Sequence, residues 1–199
     1  MKKIGITGGI GAGKTLVCRI FEVIGIPVFY ADEEAKNIME NDPDVISSIK
    51  QLLGHKAYIP SGQLNRSWIS NQVFTNPGLL RQLQEIVHPA VHNKFEHWSA
   101  RHKDDTPYVL EEAALLVENK TYLALDGLIV VTCPQELRIQ RVMERDSVDE
   151  QQVIQRINRQ LREEQKSAVA NYLIVNDGMH SLIKQVLEIH RKISQISGI

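Results

Sequence analysis

Short apolar runs alternate along the chain with longer stretches of helical period, a pattern that predicts a parallel α/β sheet. The candidate strands are Lys3–Thr7, Pro27–Tyr30, Tyr108–Glu111, Leu128–Cys133 and Tyr172–Val175. Each is dominated by Val, Ile, Leu or Tyr, as strands covered on both faces are. A helix is predicted from Lys14 to just before Gly25, which would act as its C-terminal stop. A final helix over 181–196 has apolar residues at 182, 183, 186, 187, 189 and 193, giving one buried face.

Two stretches depart from this alternation. Between Glu33 and Asp105 no strand-like run occurs, only helical periodicity broken at Asp42-Pro43, Pro60-Ser61-Gly62 and Asn76-Pro77-Gly78. A structureless loop of that length would be unusual, so a helical insertion is predicted. Its aromatic residues Trp68, Phe74, Phe95 and Trp98 are expected in the core. From Arg138 to Lys166 the chain is strongly polar, which suits a helical pair acting as a mobile lid. The expected organisation is a core of 1–32, 106–137 and 167–199, an insertion of 33–105 and a lid of 138–166.

Composition narrows the function classes. The 199 residues fit one domain with insertions. With 23 basic and 24 acidic residues the net charge is -1, without the basic excess that bulk nucleic-acid binding needs. No apolar run is long enough to span a membrane. The opening Met1-Lys2-Lys3-Ile4 leads into glycines and Lys14 rather than an apolar signal core. Cys18 and Cys133 lie far apart and form no C-x-x-C pair, as free thiols in a reducing compartment do. A cytoplasmic protein is expected.

The strongest chemical signal is Gly8-Gly9-Ile10-Gly11-Ala12-Gly13-Lys14-Thr15, which satisfies G-x-x-x-x-G-K-[ST] between a strand and a helix. Glycines let successive backbone N–H groups turn inward on phosphate oxygens, and the helix N-terminus adds its positive end. Lys14 would reach the β- and γ-phosphates and the Thr15 hydroxyl would ligate Mg²⁺. The expected nucleotide contacts are Gly9, Gly11, Ala12, Gly13, Lys14, Thr15 and Leu16. A GTPase would add N-K-x-D after a late strand, and Asn119-Lys120-Thr121-Tyr122 lacks the aspartate.

Other charged residues have two readings each. Asp32, just after the second strand, could orient an acceptor hydroxyl and take its proton, or cap a helix beginning at Glu33. Glu111 or Glu112 could reach Mg²⁺ through water, although alternation lets only one face the site. Arg138, Arg141 and Arg145 share a helix face that could close over phosphate or lie solvated beside Glu136, Glu144 and Asp146. His88 and His92 have metal-like spacing, but Pro89 fits better as the first residue of a helix after His88.

Together these pieces resemble the dephospho-CoA kinase family. The likeness covers nearly the whole chain. It rests on Thr7–Lys14, Ala31-Asp32, His88-Pro89, Leu115-Leu116-Val117-Glu118, Arg141–Asp146, Gln160 and Ala170–Gly178. It implies ATP-dependent phosphorylation of the ribose 3′-hydroxyl of dephospho-CoA to give CoA and ADP, the last step of coenzyme A biosynthesis. The fold it implies is a P-loop core with a mainly parallel five-stranded sheet, a helical acceptor-binding insertion and a helical lid. Asp32 becomes the catalytic carboxylate, working with Lys14 and the lid residue Arg141. Asn176 and Gly178 lie near adenine, His88 and Arg145 near the acceptor, and Thr15 with Glu112 near Mg²⁺. Leu16 stands where a second Ser or Thr is usual, Glu112 where Asp is usual, Asn171 where Asp is usual and Arg138 where Gln is common. The expected partners are ATP and dephospho-CoA, with no nucleic acid and no membrane, and a monomer with oligomers left open. The alternatives are another small-molecule P-loop kinase or a non-catalytic ATP-dependent binding protein.

Overall fold

The computed structural model describes residues 1–74 and 76–195. Its strands are β1 (Lys2–Gly8), β2 (Val28–Tyr30), β3 (Tyr108–Glu112), β4 (Gly127–Thr132) and β5 (Tyr172–Val175). They form one five-stranded sheet in the order β2-β3-β1-β4-β5, with every pairing parallel. The helices are α1 (Lys14–Val23), α2 (Ala31–Asn41), α3 (Pro43–Leu53), α4 (Arg66–Phe74) and α5 (Pro77–Ala100), followed by α6 (Gln135–Asp146), α7 (Glu150–Ile157), α8 (Glu163–Ser167) and α9 (Leu182–Gln195). Ile196, where the last helix was expected to end, lies outside the described residues.

The chain divides into two compact units, 1–30 with 99–199 and 31–98. In the first, β1 is central and pairs with β3 on one side and β4 on the other. The chain runs from β1 through α1 to β2 at one edge and later crosses from β3 past β1 to β4, so the direction of connection reverses beside β1, where a crevice opens beyond the strand ends. Beneath it Ile4, Ile6, Leu110, Ile129, Val131 and Ile174 pack with Val17, Phe21, Val186, Ile189 and Ile193 of the covering helices. Phe21 meets the Tyr108 ring edge-on at 6.5 Å. Helix α1 ends as expected at Gly25 (φ 87°), where Gly25 N–H donates to Glu22 O and Ile26 N–H to Phe21 O. That paired closure needs a left-handed residue, which glycine adopts without a Cβ penalty.

The second unit is helical, as its periodicity predicts. Asp42 caps α3 by accepting from Asp44 and Val45 N–H, with Pro43 at the first helical position. The Tyr58 hydroxyl donates to Met39 O at 2.8 Å, and burial pushes its pKa up to about 12. Two expectations need correction. Pro89 does not start a helix but lies inside α5. The start is Asn76-Pro77, where the Asn76 side chain accepts from Leu79 N–H. Leu83, Val87, Val91 and Phe95 are buried at every fourth position across the proline, so burial of that stripe outweighs the hydrogen bond the proline removes. Phe95 is fully buried and stacks on Trp98 with centroids 6.1 Å apart, but Phe74 is 64% exposed. Ile69 is the buried residue of α4, and five positions on, Phe74 has rotated off that face.

Candidate active site

The Gly8–Thr15 loop leaves β1 at the crevice and runs into α1. Gly13 is left-handed (φ 88°), and a Cβ there would collide with the Asn176 amide, so only glycine fits. Asn176 is buried and donates from Nδ2 to Ala12 O at 2.8 Å, bracing the loop from the end of β5. Within the loop, Ala12 N–H donates to Gly9 O and Leu16 N–H to Gly13 O.

Lys14 and Glu112 meet under this loop. Lys14 Nζ lies 3.6 Å from Glu112 Oε1 and donates to Gly8 O at 3.4 Å. Glu112, at the end of β3 opposite Ile6 of β1, is buried, whereas its neighbour Glu111 is only partly so. The pleat thus turns Glu112 toward the lysine. Thr15 and Leu16 are exposed on the first turn of α1. Cys18, one turn further on, is buried, and that burial pushes its thiol pKa well up.

Helix α6 brings two of the three arginines to the loop. Arg138 is 6% exposed; its Nε donates to Ile10 O at 2.9 Å and its Nη1 lies 3.5 Å from Glu163 Oε2. Arg141 Nη1 donates to Asn176 O at 3.3 Å and to Cys133 Sγ at 3.2 Å, at the end of β4. Arg145 is exposed and pairs instead with Asp146, which also binds Arg156 at 2.7 Å. The segment expected as a helical pair contains three helices, α6, α7 and α8. Gln160 and Glu163 carry contacts that sequence spacing does not signal: Gln160 Oε1 accepts from Ile10 N–H at 2.8 Å, and Glu163 Oε2 accepts from Cys133 N–H.

After β5 the chain turns through Gly178 (φ 84°). Asp177 accepts from the N–H groups of His180 and Met179 and lies 2.8 Å from His180 Nδ1. Those backbone donors hold its carboxyl down at about 2.

In the other unit, Asp32 is exposed in the first turn of α2. The helix starts at Ala31, so Asp32 is helical and does not cap a helix beginning at Glu33. His88 is half-buried on α5, and burial lowers its pKa.

Comparison with known proteins gives concordant results. The family model for dephospho-CoA kinase matches residues 2–181. A dephospho-CoA kinase of Bacteroides fragilis is 37% identical over 94% of this chain and 90% of its own. A crystal structure of a Thermus thermophilus protein, 31% identical, superposes with a TM-score of 0.84 over 94% of this chain and 95% of its own. The dephospho-CoA kinase of Campylobacter jejuni, 23% identical, shares the fold with a TM-score of 0.69 over 97% of both chains.

Proposed function

The chain belongs to the dephospho-CoA kinase family, and from that premise we propose which residues carry its chemistry. It is an enzyme, a kinase that phosphorylates dephospho-CoA with ATP in coenzyme A biosynthesis. The acceptor atom in this reading is the ribose 3′-hydroxyl, and the products are CoA and ADP. The observation that carries the reading is the meeting of the glycine loop, Lys14, Glu112 and Arg141 at the ends of β1, β3 and β4.

Residues 8–15 cradle the triphosphate. Ala12 and Leu16 commit their N–H groups to carbonyls of the loop itself, so the phosphate donors are those of Gly11, Gly13, Lys14 and Thr15. Lys14 and Arg141 balance charge that develops on the transferred group. Asn176 and Gly178 flank the adenine, and Gly9 shapes the turn. His88 and Arg145 bind the acceptor. Asp32 holds the acceptor hydroxyl and takes its proton. The insertion 33–105 binds dephospho-CoA, and the lid 138–166 excludes water, which would otherwise compete for the phosphoryl group.

The donors at hand suit Mg²⁺. Among the described residues no three His, Cys, Asp or Glu side chains form a self-sufficient metal site. That fits an ion that arrives with the phosphates and takes one or two protein ligands. Thr15 and Glu112 would hold it, and it would supply positive charge to offset that of the phosphates.

The test is incubation with ATP, Mg²⁺ and dephospho-CoA, followed by mass analysis. CoA and ADP in equal amounts are expected. ADP without CoA would refute the acceptor, and a panel of nucleosides and shikimate would then find the true one.

A further inference from the structure

Ile10 lies in the middle of the phosphate loop, and both its backbone polar groups are taken by side chains distant in sequence. Its N–H donates to Gln160 Oε1 at 2.8 Å, and its carbonyl accepts from Arg138 Nε at 2.9 Å. The first contact fixes the peptide plane before Ile10 and the second the plane after it. Since each peptide is rigid, the two together set the dihedrals of Ile10 and aim the N–H groups that follow.

Gln160 is itself held in place. It lies between α7 and α8, and the N–H of its neighbour Leu161 donates to Glu118 Oε1 at 3.1 Å. The same oxygen lies 2.7 Å from Lys166 Nζ, in an ion pair whose lysine is 1% exposed. Burial pulls the Lys166 pKa down and Glu118 opposes that pull. Glu118 Oε2 is buried with no hydrogen-bond partner among the described residues. A buried pair is a poor source of stability, but removing one partner leaves the other charge buried and uncompensated, so the two hold each other in place. Neither residue has a part in the phosphoryl transfer described above.

We propose that Gln160 is a positioning residue for the phosphate loop, held there by the buried Glu118–Lys166 pair. The segment that returns from the lid then sets the conformation in which the loop receives ATP. This rests on the assignment of Gly8–Thr15 to the ATP phosphates.

The test is steady-state kinetics on the full chain, with ATP and dephospho-CoA varied separately. Gln160→Met keeps the side-chain length and removes the acceptor oxygen. It should raise KM for ATP about five- to tenfold, the scale of one lost hydrogen bond. KM for dephospho-CoA should barely move, and the thermal midpoint should fall by no more than about 2–4 °C. Glu118→Gln should raise the same constant, and the double variant should fall short of the product of the two effects, because both act through one route. Should Glu118→Gln fail to fold, Gln160→Met decides alone. An unchanged KM for ATP overturns the proposal. A fall in thermal stability with both KM values rising together also overturns it, since that marks a purely structural contact. Lys14→Ala separates this proposal from the assignment beneath it. If Lys14→Ala leaves ATP use intact, the phosphate assignment fails and the proposal with it. If Lys14→Ala abolishes ATP use while Gln160→Met is silent, the positioning role alone is wrong.

Discussion

Among the described residues Lys14 pairs with Glu112 at 3.6 Å, and in the proposed reading phosphate oxygens join that carboxylate around it when ATP binds. Lys14→Ala leaves the N–H groups of the helix terminus in place, so some nucleotide binding should survive. Its kcat/KM should nevertheless fall about a hundredfold or more, because the charge it balances peaks in the transition state; steady-state kinetics checks this. A second residue-scale prediction concerns His190, whose Nδ1 lies 3.0 Å from the Tyr108 hydroxyl. Burial raises the Tyr108 pKa and lowers that of His190 below 6.5, so a neutral phenol and a neutral imidazole share this hydrogen bond. A depressed folded pKa means the unfolded chain takes up the proton first. The stability tied to neutral His190 is therefore complete above about pH 6.5 and is lost as pH falls through the lowered value. His88, also lowered by burial, adds in the same direction, whereas Asp177 acts in a separate window between 3.8 and about 2. Thermal midpoints from about pH 7.5 to 5 should fall less steeply in His190→Phe than in the wild type. Equal slopes would remove His190 from the account.

At the scale of elements, the strands were legible because sheets covered on both faces leave uninterrupted apolar runs. Observed β5 matches the predicted Tyr172–Val175, and β1 extends Lys3–Thr7 to Lys2–Gly8. Helix α5 was less so. His88-Pro89 carries a local start signal, while the evidence against it is a buried stripe from Leu83 to Phe95 that runs through the proline. Burial decides there, and propensity yields. The arginine face of α6 was legible as a face, but spacing cannot tell that Arg138 is buried against the loop and Arg145 turned to Asp146. Gln160 was legible only as part of a family likeness, because no local pattern links residues 150 positions apart. Helix α6 also yields a stability prediction. Its C-cap, Ser147, is exposed and left-handed at φ 53°, a conformation that strains a residue with a Cβ. Ser147→Gly should relieve that strain, net of the extra freedom of unfolded glycine, for about 0.5–1 kcal/mol. The thermal midpoint should rise by about 1–4 °C.

For the whole molecule, each unit carries proposed roles of its own. The phosphate loop and Arg141 belong to residues 1–30 and 99–199, while Asp32 and His88 belong to 31–98. The proposed nucleotide half has a local code in its glycine spacing, because a phosphate cradle needs residues of fixed type close together in sequence. The acceptor half has no such local code; its assignment came from the family likeness and from the place of Asp32, two residues after β2. The most direct measurement is therefore Asp32→Asn, assayed for CoA formation and, separately, for ATP binding by calorimetry. Loss of a carboxylate that takes the proton should lower kcat by about a hundredfold or more while the Kd for ATP stays within about twofold. CoA formation near the wild-type rate would contradict the account, and so would a loss of ATP binding in step with activity.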